Sequence, residues 1–381
     1  MDSAQKKKKS PPSAQGANQT ANLDNAESDY NIKLDERQEL NKSEIDKEVS
    51  VRFTPKRVMV LALADSYAEL AKDYYGYGLP ASIIGRANRV RSCGDFLEFL
   101  VSADSHYLHR ANFCADKLCP MCNWRRSLKM FSQMSRVMDW LEGRGYQFLF
   151  LTLTVRNCNG AAFKDTVSEI LSGWKRMSNR APFRAFRGKS PVVLGSARFL
   201  ETTVHYSKTG GSYHPHLHAV LAVKPDYFKN HYIGQASWVQ YWRKAMGLDY
   251  DPIVHIEKIQ PGKDGSYGKA VAEVSKYPYK ASDWYRLEGA ARLEVVRRLY
   301  QGVSGRRFTG FTGCFRDAQQ ALRLADAEDG DLVHTDVDQL RPDVAYLLVR
   351  ARWQAGAYLV QSVADEDAIA EAVEDIRRRN G

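Results

Sequence analysis

The chain has 381 residues, which is enough for one large or two medium-sized domains with a substantial core. Its net charge of +10 and pI of about 9.2 favour a polyanionic partner. The polar start and the lack of an apolar run near ~18 residues argue against a signal peptide and a membrane span. We therefore expect a cytoplasmic protein with no membrane partner.

The N-terminal residues 1–50 are rich in Lys, Ser, Asn, Asp and Gln and contain almost no aromatic residues. Such a composition buries too little apolar surface to offset the entropy of ordering, so we predict a disordered basic and polar segment. Folded sequence begins near Val51, and the pattern over residues 58–70 predicts a helix.

Four cysteines in the next part of the chain have a spacing that is typical of zinc sites. Two of them form a Cys-x2-Cys pair, whose thiolates can converge on one tetrahedral ion. The four are Cys93, Cys114, Cys119 and Cys122. His109 or His106 could replace Cys93, and reduced, buried cysteines without metal are the alternative. We predict a helical Cys-rich, zinc-like module over residues 51–145.

Basic residues follow the cysteines at two places in the chain. A helix predicted over residues 124–141 begins with Arg125 and Arg126, which would make the zinc module structural or DNA-contacting. A second helix, after a strand predicted over 146–155, ends in a basic arc interleaved with Phe183 and Phe186. This arc predicts a track for a nucleic-acid backbone, although a solvated loop is the alternative. It comprises Lys175, Arg176, Arg180, Arg184, Arg187 and Lys189.

Three of the nine histidines lie within five residues, immediately before an apolar, strand-like run at 219–223. Because side chains alternate along a strand, His216 and His218 point the same way. Two imidazoles entering a buried strand need a partner, and a divalent metal is the simplest one. A preceding strand over 192–204 contains Glu201 in an apolar run, and a hairpin would bring this carboxylate beside the histidines. Glu201 with His216 and His218 suits Mg²⁺ or Mn²⁺, while a salt bridge to Arg198 is the alternative for Glu201.

A second chemical stretch lies at residues 270–280. If it is helical, Glu273 and Tyr277 lie on one face, although Pro278 biases Tyr277 away from helical geometry. Tyr277 could act as a nucleophile, with Glu273 as a proton acceptor and positive charge from Lys276 and Lys280. A core aromatic is the alternative for this tyrosine.

These motifs together resemble one family. Leu-Thr-Leu-Thr at 151–154, His-Pro-His-Leu-His at 214–218 and Glu-x3-Tyr-Pro-x-Lys at 273–280 occur in that order. In this arrangement the chain resembles the rolling-circle replication initiators (Rep) of small plasmids, within the His-hydrophobe-His (HUH) endonuclease superfamily. The cysteine knuckle and a Gly-Arg segment at 305–313 resemble further parts of that family. The resemblance covers residues 93–315, and His214 competes with Glu201 as the third metal ligand.

The resemblance implies an α+β fold, with a central antiparallel sheet that carries the His-hydrophobe-His motif, flanked by helices. It implies a nicking domain over 146–320. The residue pattern, outside the shared motifs, predicts an acidic linker, a hairpin and a C-terminal helix over 321–381. It also implies metal-dependent nicking of single-stranded origin DNA by Tyr277, with a 5′-phosphotyrosine intermediate and Glu273 directing water later. Plasmid origin DNA, double- and single-stranded, and a host helicase and polymerase are the implied partners.

Two other functions are alternatives to the initiation of plasmid replication. A relaxase or transposase would share the chemistry, and Tyr279 keeps the number of nucleophilic tyrosines open. A zinc-containing DNA-binding protein with structural histidines would not cleave DNA. Nicking of supercoiled plasmid with Mg²⁺ or Mn²⁺ separates this last function from the others.

Overall fold

The structure of the protein, a computed structural model, describes residues 42–102, 105–185, 188, 190–276, 278–335, 346–363 and 365–380. It is a mixed α+β fold in which helices flank two antiparallel sheets. The first 41 residues of the predicted disordered segment, and Arg187, Lys189 and Phe186 of the predicted basic arc, lie outside the described residues. So does Tyr277.

The helices, in chain order, have the following bounds. They are α1 (42–48), α2 (Thr54–Lys72), α3 (Ile83–Arg91), α4 (Pro120–Glu142), α5 (Gly160–Ser178), α6 (Tyr227–Asn230), α7 (Gln235–Met246), α8 (Gly268–Val274), α9 (Ser282–Tyr285), α10 (Gly289–Val303), α11 (Cys314–Ala321) and α12 (Glu366–Asn380). None of the helices in the described ranges is long and apolar enough to cross a bilayer.

The strands, in chain order, have the following bounds. They are β1 (Phe96–Val101), β2 (His106–Ala111), β3 (Gln147–Thr154), β4 (Cys158–Asn159), β5 (Val193–Ser207), β6 (Gly210–Val223), β7 (Val254–Lys258), β8 (Thr309–Gly313), β9 (Leu347–Gln354) and β10 (Ala357–Val363). The predicted strands at 146–155 and 192–204 are therefore confirmed as β3 and β5, each within a few residues.

The predicted disorder of residues 42–50 is wrong. These residues form α1 and the start of a π-helical turn, Val49–Phe53, which leads into α2. Ile45, Val49 and Phe53 recur every four residues and are fully buried in the main core. Their spacing gives the segment one apolar face, so it gains enough burial to order despite its polar composition.

The smaller sheet has the strand order β10-β9-β1-β2. The predicted C-terminal hairpin is confirmed as β9 and β10, and β9 pairs with β1 from Phe96 to Val101. The C-terminal helix α12 covers this sheet through Ala372 and Ile376, which pack with Leu100 and Leu348. The C-terminal strands thus complete the sheet of the Cys-rich region, and the four-part division of the chain stays a prediction.

The larger sheet has the order β7-β3-β6-β5-β8, and β4 pairs with the start of β6. Its two faces bury different clusters because side chains alternate along each strand. One face, with Leu151, Leu217 and Leu221, packs on α5, α7 and α10. The opposite face, with Phe148 and Val220, is covered by α4, α8 and α11. The central strand β6 is buried from Pro215 to Val223 and places the histidine motif in the middle of the sheet.

Candidate functional site

The β5–β6 hairpin brings Glu201, His216 and His218 together. Glu201 is paired with His216 in the sheet register, and Phe199 is paired with His218. Alternation along both strands then places the three polar side chains on the face covered by α4, α8 and α11. One carboxylate oxygen of Glu201 lies 3.2 Å from Nε2 of His218 and 3.7 Å from Nε2 of His216.

Both imidazoles present Nε2 to the carboxylate because their other nitrogens have partners. Nδ1 of His216 lies 3.0 Å from the carbonyl oxygen of His214. A carbonyl only accepts, so this nitrogen donates, and in the neutral ring Nε2 keeps its lone pair. Nδ1 of His218 lies 3.1 Å from Oγ1 of Thr152 on β3. Such contacts to the outer nitrogen are typical of metal-ligating histidines.

The donor set fits a divalent cation. The candidate ligand atoms of Glu201, His216 and His218 all lie within 4.8 Å of one another. Burial would raise the pKa of Glu201, but the hydrogen bonds and charges of the two histidines outweigh it and hold this pKa well below its usual range. An ionised carboxylate and two imidazole lone pairs on one buried face are groups that a cation can bind. The donors do not fix which metal it is.

His214 is the competing third ligand from the sequence. Its half-buried ring stacks on His216, with ring centroids 5.1 Å apart. It lies two residue pairs further toward the hairpin turn, opposite Thr203. The group of potential ligand atoms within reach of one ion contains Glu201 and not His214. This geometry favours Glu201 as the third ligand.

The segment around residue 277 is tied to β5 beside Glu201. α8 carries Glu273 and ends at Val274, and Lys276 forms an ion pair with Glu273. The helix therefore stops before Tyr277, in keeping with the steric effect of Pro278 on its predecessor. The carbonyl oxygen of Pro278 accepts a hydrogen bond of 2.9 Å from the backbone N–H of Thr202, the residue after Glu201.

Tyr279 is a core residue. It is 4% exposed, its backbone bridges to Thr202, and its ring contacts Phe308 edge-on at 5.7 Å. Burial raises the pKa of its phenol. An attacking tyrosine must reach a phosphate in solution-accessible DNA, and a phenol in this position does not. Lys280, by contrast, is exposed.

The four predicted cysteines form one buried cluster. The Sγ–Sγ distances are 3.5 Å from Cys93 to Cys122, 3.5 Å from Cys93 to Cys119 and 3.6 Å from Cys114 to Cys122. A tetrahedral zinc with bonds of about 2.3 Å would separate its sulfurs by about 3.8 Å, so the cluster fits such an ion with small adjustment. The backbone N–H groups of Cys114 and Asp116 also point at sulfurs, each at 3.4 Å.

Neither histidine that could have replaced Cys93 belongs to this cluster. His106 contacts Glu48, and His109 is buried with its Nε2 at 3.8 Å from Glu98. The four-sulfur alternative is therefore the one that the geometry supports.

Arg125 and Arg126 are not surface residues, and this placement argues against their predicted DNA contacts. Both are 7% exposed. The guanidinium of Arg125 donates to the carbonyl oxygens of Leu332 and Val333 at 2.9 and 2.5 Å. The guanidinium of Arg126 donates to the carbonyl oxygens of Ala115, Asp116 and Glu328 at 2.7, 3.0 and 2.7 Å. The two arginines join the knuckle to the segment that follows α11.

The described part of the predicted basic arc is exposed but lies away from the histidines. It comprises Lys175, Arg176, Arg180 and Arg184. Pro182 lies within the arc, and its carbonyl oxygen accepts a hydrogen bond from the N–H of Val193. Val193 is paired with Val223, at the end of β6. His216 and Val223 are seven residues apart on β6, or roughly 23 Å at the usual rise. α5 also covers the opposite face, so this arc is not part of the Glu201 site, and its DNA contact stays a prediction.

Two functional features were not predicted from the sequence. Thr152 orients His218, and the only sequence indication was a polar residue in an otherwise apolar strand. Glu328 is 2% exposed at its side chain and accepts hydrogen bonds from Lys117 at 2.9 Å, from the backbone of Phe308 at 3.0 Å and from the backbone and hydroxyl of Thr309. Nothing in the local pattern distinguished it from the neighbouring solvated carboxylates.

Comparison with known proteins identifies the family. A family model described as "Replication protein" matches residues 105–359, which is more than half of the chain. The chain belongs to this replication protein (Rep) family. The "Protein rep" of Lentilactobacillus hilgardii is 36% identical over 278 residues, covering 70% of this chain and 85% of the relative. The "Protein rep" of Streptococcus pneumoniae is 35% identical over 289 residues, covering 74% and 83%.

A third Rep relative extends the matched region further. The "Protein rep" of Bacillus amyloliquefaciens is 34% identical over 316 residues, covering 77% of this chain and 88% of the relative. No solved structure matches the chain significantly. The matched family region contains β5, β6 and α8, and thus the Glu201 site and the Glu273 helix.

Proposed function

We propose that this Rep protein initiates rolling-circle replication of a plasmid by nicking one strand of the origin. The proposal rests on two consecutive residues of strand β5, each of which contacts a different candidate catalytic segment. Glu201 converges there with His216 and His218, and Thr202 holds the chain immediately after Tyr277. A metal-ligand set and a candidate nucleophile are thus connected to consecutive residues of one strand.

Different residues have different roles in the proposed cleavage. A Mg²⁺ or Mn²⁺ ion bound to Glu201, His216 and His218 would polarise the scissile phosphate. The hydroxyl oxygen of Tyr277 attacks the phosphorus, the bond from phosphorus to the 3′ oxygen breaks, and the bonding pair leaves with that oxygen. The phenolic proton is transferred, in net terms, to the departing 3′ oxygen. The products are a 5′-phosphotyrosine and a 3′-OH that primes synthesis.

The residues around the nucleophile have distinct parts in the proposal. Lys276 and Lys280 supply positive charge near the phosphate. Glu273, on the last turn of α8 and about 42% exposed at its side chain, accepts the proton of a water in the terminating cleavage. Extension of the 3′-OH requires a host DNA polymerase, and the displaced strand requires a host helicase. The cysteine cluster binds one structural zinc.

The test compares two neighbouring tyrosines. Tyr277→Phe keeps the ring and removes the attacking oxygen, so it should bind origin DNA and form no covalent adduct. Tyr279→Phe is the matched control, since it removes a buried hydroxyl and should cleave nearly normally. Each protein is incubated with Mn²⁺ and supercoiled DNA of its own replicon, and the adduct is digested and sequenced by mass spectrometry.

The site of the adduct decides the outcome. DNA attached to Tyr279, or the absence of any adduct and nick with the wild-type protein, would overturn the proposed mechanism. The latter result would favour a DNA-binding protein with structural histidines. Glu273→Ala should still nick and should accumulate the covalent adduct.

A further inference from the structure

A basic pocket of about 310 Å³ lies beside β8, on the face of the larger sheet that carries Glu201. Thr309 pairs with Phe199, which pairs with His218, so the three residues form one row across three strands. Two strand spacings separate Thr309 from His218, which is about 10 Å. Side chains of β8, α11 and the following turn line the pocket, among them Arg307, Phe311, Arg316, Gln319, Gln320 and Arg323.

The pocket carries uncompensated positive charge. Arg307 and the pocket-lining Asp326 neutralise each other through two hydrogen bonds of 2.9 and 2.7 Å. Arg316 and Arg323 are exposed, and neither has a carboxylate partner among the described residues. The guanidinium of Arg316 donates to the carbonyl oxygen of Phe311 at 3.1 Å, which holds it at the pocket wall. Two guanidinium groups without carboxylate partners at a concave surface are a typical phosphate-binding arrangement.

Arg323 occupies a backbone position that favours glycine. It has a φ of +51° just after α11, and the N–H of Leu324 donates to the carbonyl oxygen of Gln319 at 3.0 Å. This bond closes the turn that ends the helix, where the left-handed residue is usually glycine. A long cationic side chain therefore lines the pocket at a position where the backbone conformation favours glycine, which has no side chain.

The pocket leads toward the segment of the proposed nucleophile. A second cavity, of about 40 Å³, shares Met130, Thr309 and Ala327 with it. The second cavity is lined further on by Lys276 and Pro278, the residues on either side of position 277. The two cavities therefore share part of their lining, between that segment and the two arginines.

We propose that this pocket binds single-stranded DNA next to the scissile phosphate. Arg316 and Arg323 bind a backbone phosphate, Phe311 contacts a base, and the amides of Gln319 and Gln320 contact base edges. This inference rests on the proposed nicking function for the position of the DNA, and the charge of the pocket selects a nucleic acid as the occupant.

The test measures binding without cleavage. Fluorescence anisotropy with a fluorescein-labelled 12-mer of thymidylate, in buffer without added Mg²⁺ or Mn²⁺, compares the wild type with Arg316→Ala and Arg323→Gly. Each variant should bind at least about fivefold more weakly, and the slope of log K against log salt should become shallower by about 0.7 for each phosphate that is no longer bound. Arg89→Ala is the matched control, because Arg89 is an exposed arginine on α3, far along the chain from the pocket, and should bind as the wild type does.

Arg323→Gly also guards against misfolding. Glycine relieves the left-handed backbone, so the melting temperature should rise while binding falls. Wild-type affinity in both pocket variants, an equal loss in Arg89→Ala, or no detectable binding by the wild type would overturn the inference. Because the assay contains no added Mg²⁺ or Mn²⁺ and scores no adduct, its result is independent of the Tyr277 test. Normal adduct formation with unchanged pocket binding would reject the pocket alone.

Discussion

The two histidines of the Glu201 site are oriented by different partners. His216 is held by the carbonyl oxygen of His214, a backbone group that no substitution removes. His218 is held by the hydroxyl of Thr152, which a substitution does remove. Loss of such an outer partner typically lowers metal affinity by about 10- to 100-fold. Thr152 is therefore a positioning residue whose effect can be measured on metal binding itself.

We expect Thr152→Val to weaken Mn²⁺ binding by about tenfold while the fold is retained, because valine has the shape of threonine without its hydroxyl. Isothermal titration of Mn²⁺ into zinc-loaded protein that holds no other divalent metal measures this affinity directly. Thr154→Val is the matched control, since Thr154 lies on the same face of β3 and donates to the carbonyl oxygen of Ile253 at 2.9 Å. Equal losses in the two variants would show that the Thr152 hydroxyl has no specific role.

Helix α4 and the acidic segment after α11 form one structural unit. Besides the two arginines, Lys129 and Gln133 of α4 donate to the carbonyl oxygens of Asp331 and Ala325, at 2.7 and 2.8 Å. Glu328 within this segment binds Lys117, the residue two positions before the Cys-x2-Cys pair. The basic face of α4 therefore holds the chain in place instead of facing solvent.

Glu328→Gln should destabilise the protein by about 3 kcal/mol at pH 7, because it leaves the largely buried ammonium group of Lys117 with only the exposed Asp329, 4.0 Å away, as a counter-charge. Burial would raise the pKa of Glu328, but the hydrogen bonds from Lys117 and the backbone outweigh it and hold this pKa below its usual range. The resulting stabilisation is present above the unfolded-state pKa of about 4.3 and is lost as pH falls through the lower folded-state pKa. Denaturant unfolding at pH 7 and at lower pH should show the two proteins converging on acidification, and a constant difference would contradict this account.

The cysteine cluster connects the start of α4 to the chain before β1. We expect about one zinc per chain in freshly purified, reduced protein, and removal of the metal should lower the melting temperature. Cys119→Ser and Cys122→Ser should reduce zinc content, solubility and DNA binding more than the chemistry at Tyr277. Cys158→Ser is the matched control, because Cys158 lies on β4 outside the cluster. If elemental analysis finds no zinc, the four residues are ordinary buried thiols.

Across the whole molecule, the last described strands complete a sheet that begins more than 200 residues earlier. Pairing of β9 with β1 satisfies the backbone of β1, and the phenol of Tyr358 on β10 donates to the carbonyl oxygen of Gly94. The N–H of Trp353 donates to the carbonyl oxygen of Asp95 at 2.8 Å. These bonds flank Cys93, so the C-terminal hairpin also supports the cysteine cluster.

A chain that ends at residue 335 should therefore be insoluble or lose at least ~10 °C of melting temperature, because β1 becomes an unprotected edge strand. A chain that ends at residue 365 is the control, since it keeps β9 and β10 and loses only α12. It should lose less stability, through exposure of Leu100 and Leu348. Similar melting temperatures for the full-length chain and the shorter truncation would show that the hairpin is dispensable.

The local elements and the chemical groups follow from the sequence alone. Alternation in β6 placed His216 and His218 on one face, and the short connection to β5 predicted a hairpin with Glu201 nearby, because both follow from chain geometry over a few residues. Cysteine spacing likewise predicted the zinc-like cluster. Tyr277 and Glu273 were candidates from their spacing, the family resemblance implied their roles, and the function of Tyr277 remains a prediction.

Which polar residues are buried depends on contacts between segments that are distant in the chain. Arg125 and Arg126 have the composition of a DNA-binding surface, yet their partners lie some 200 residues further along the chain. Ile45 and Val49 are ordered for the same reason, since their burial depends on a core built by distant segments. Periodicity and composition report on neighbours in sequence, whereas the solvation of a charge depends on neighbours in space. The tertiary fold therefore assigned Arg125, Arg126 and Glu328 to the interior and left Arg316 and Arg323 at the surface beside the Glu201 site.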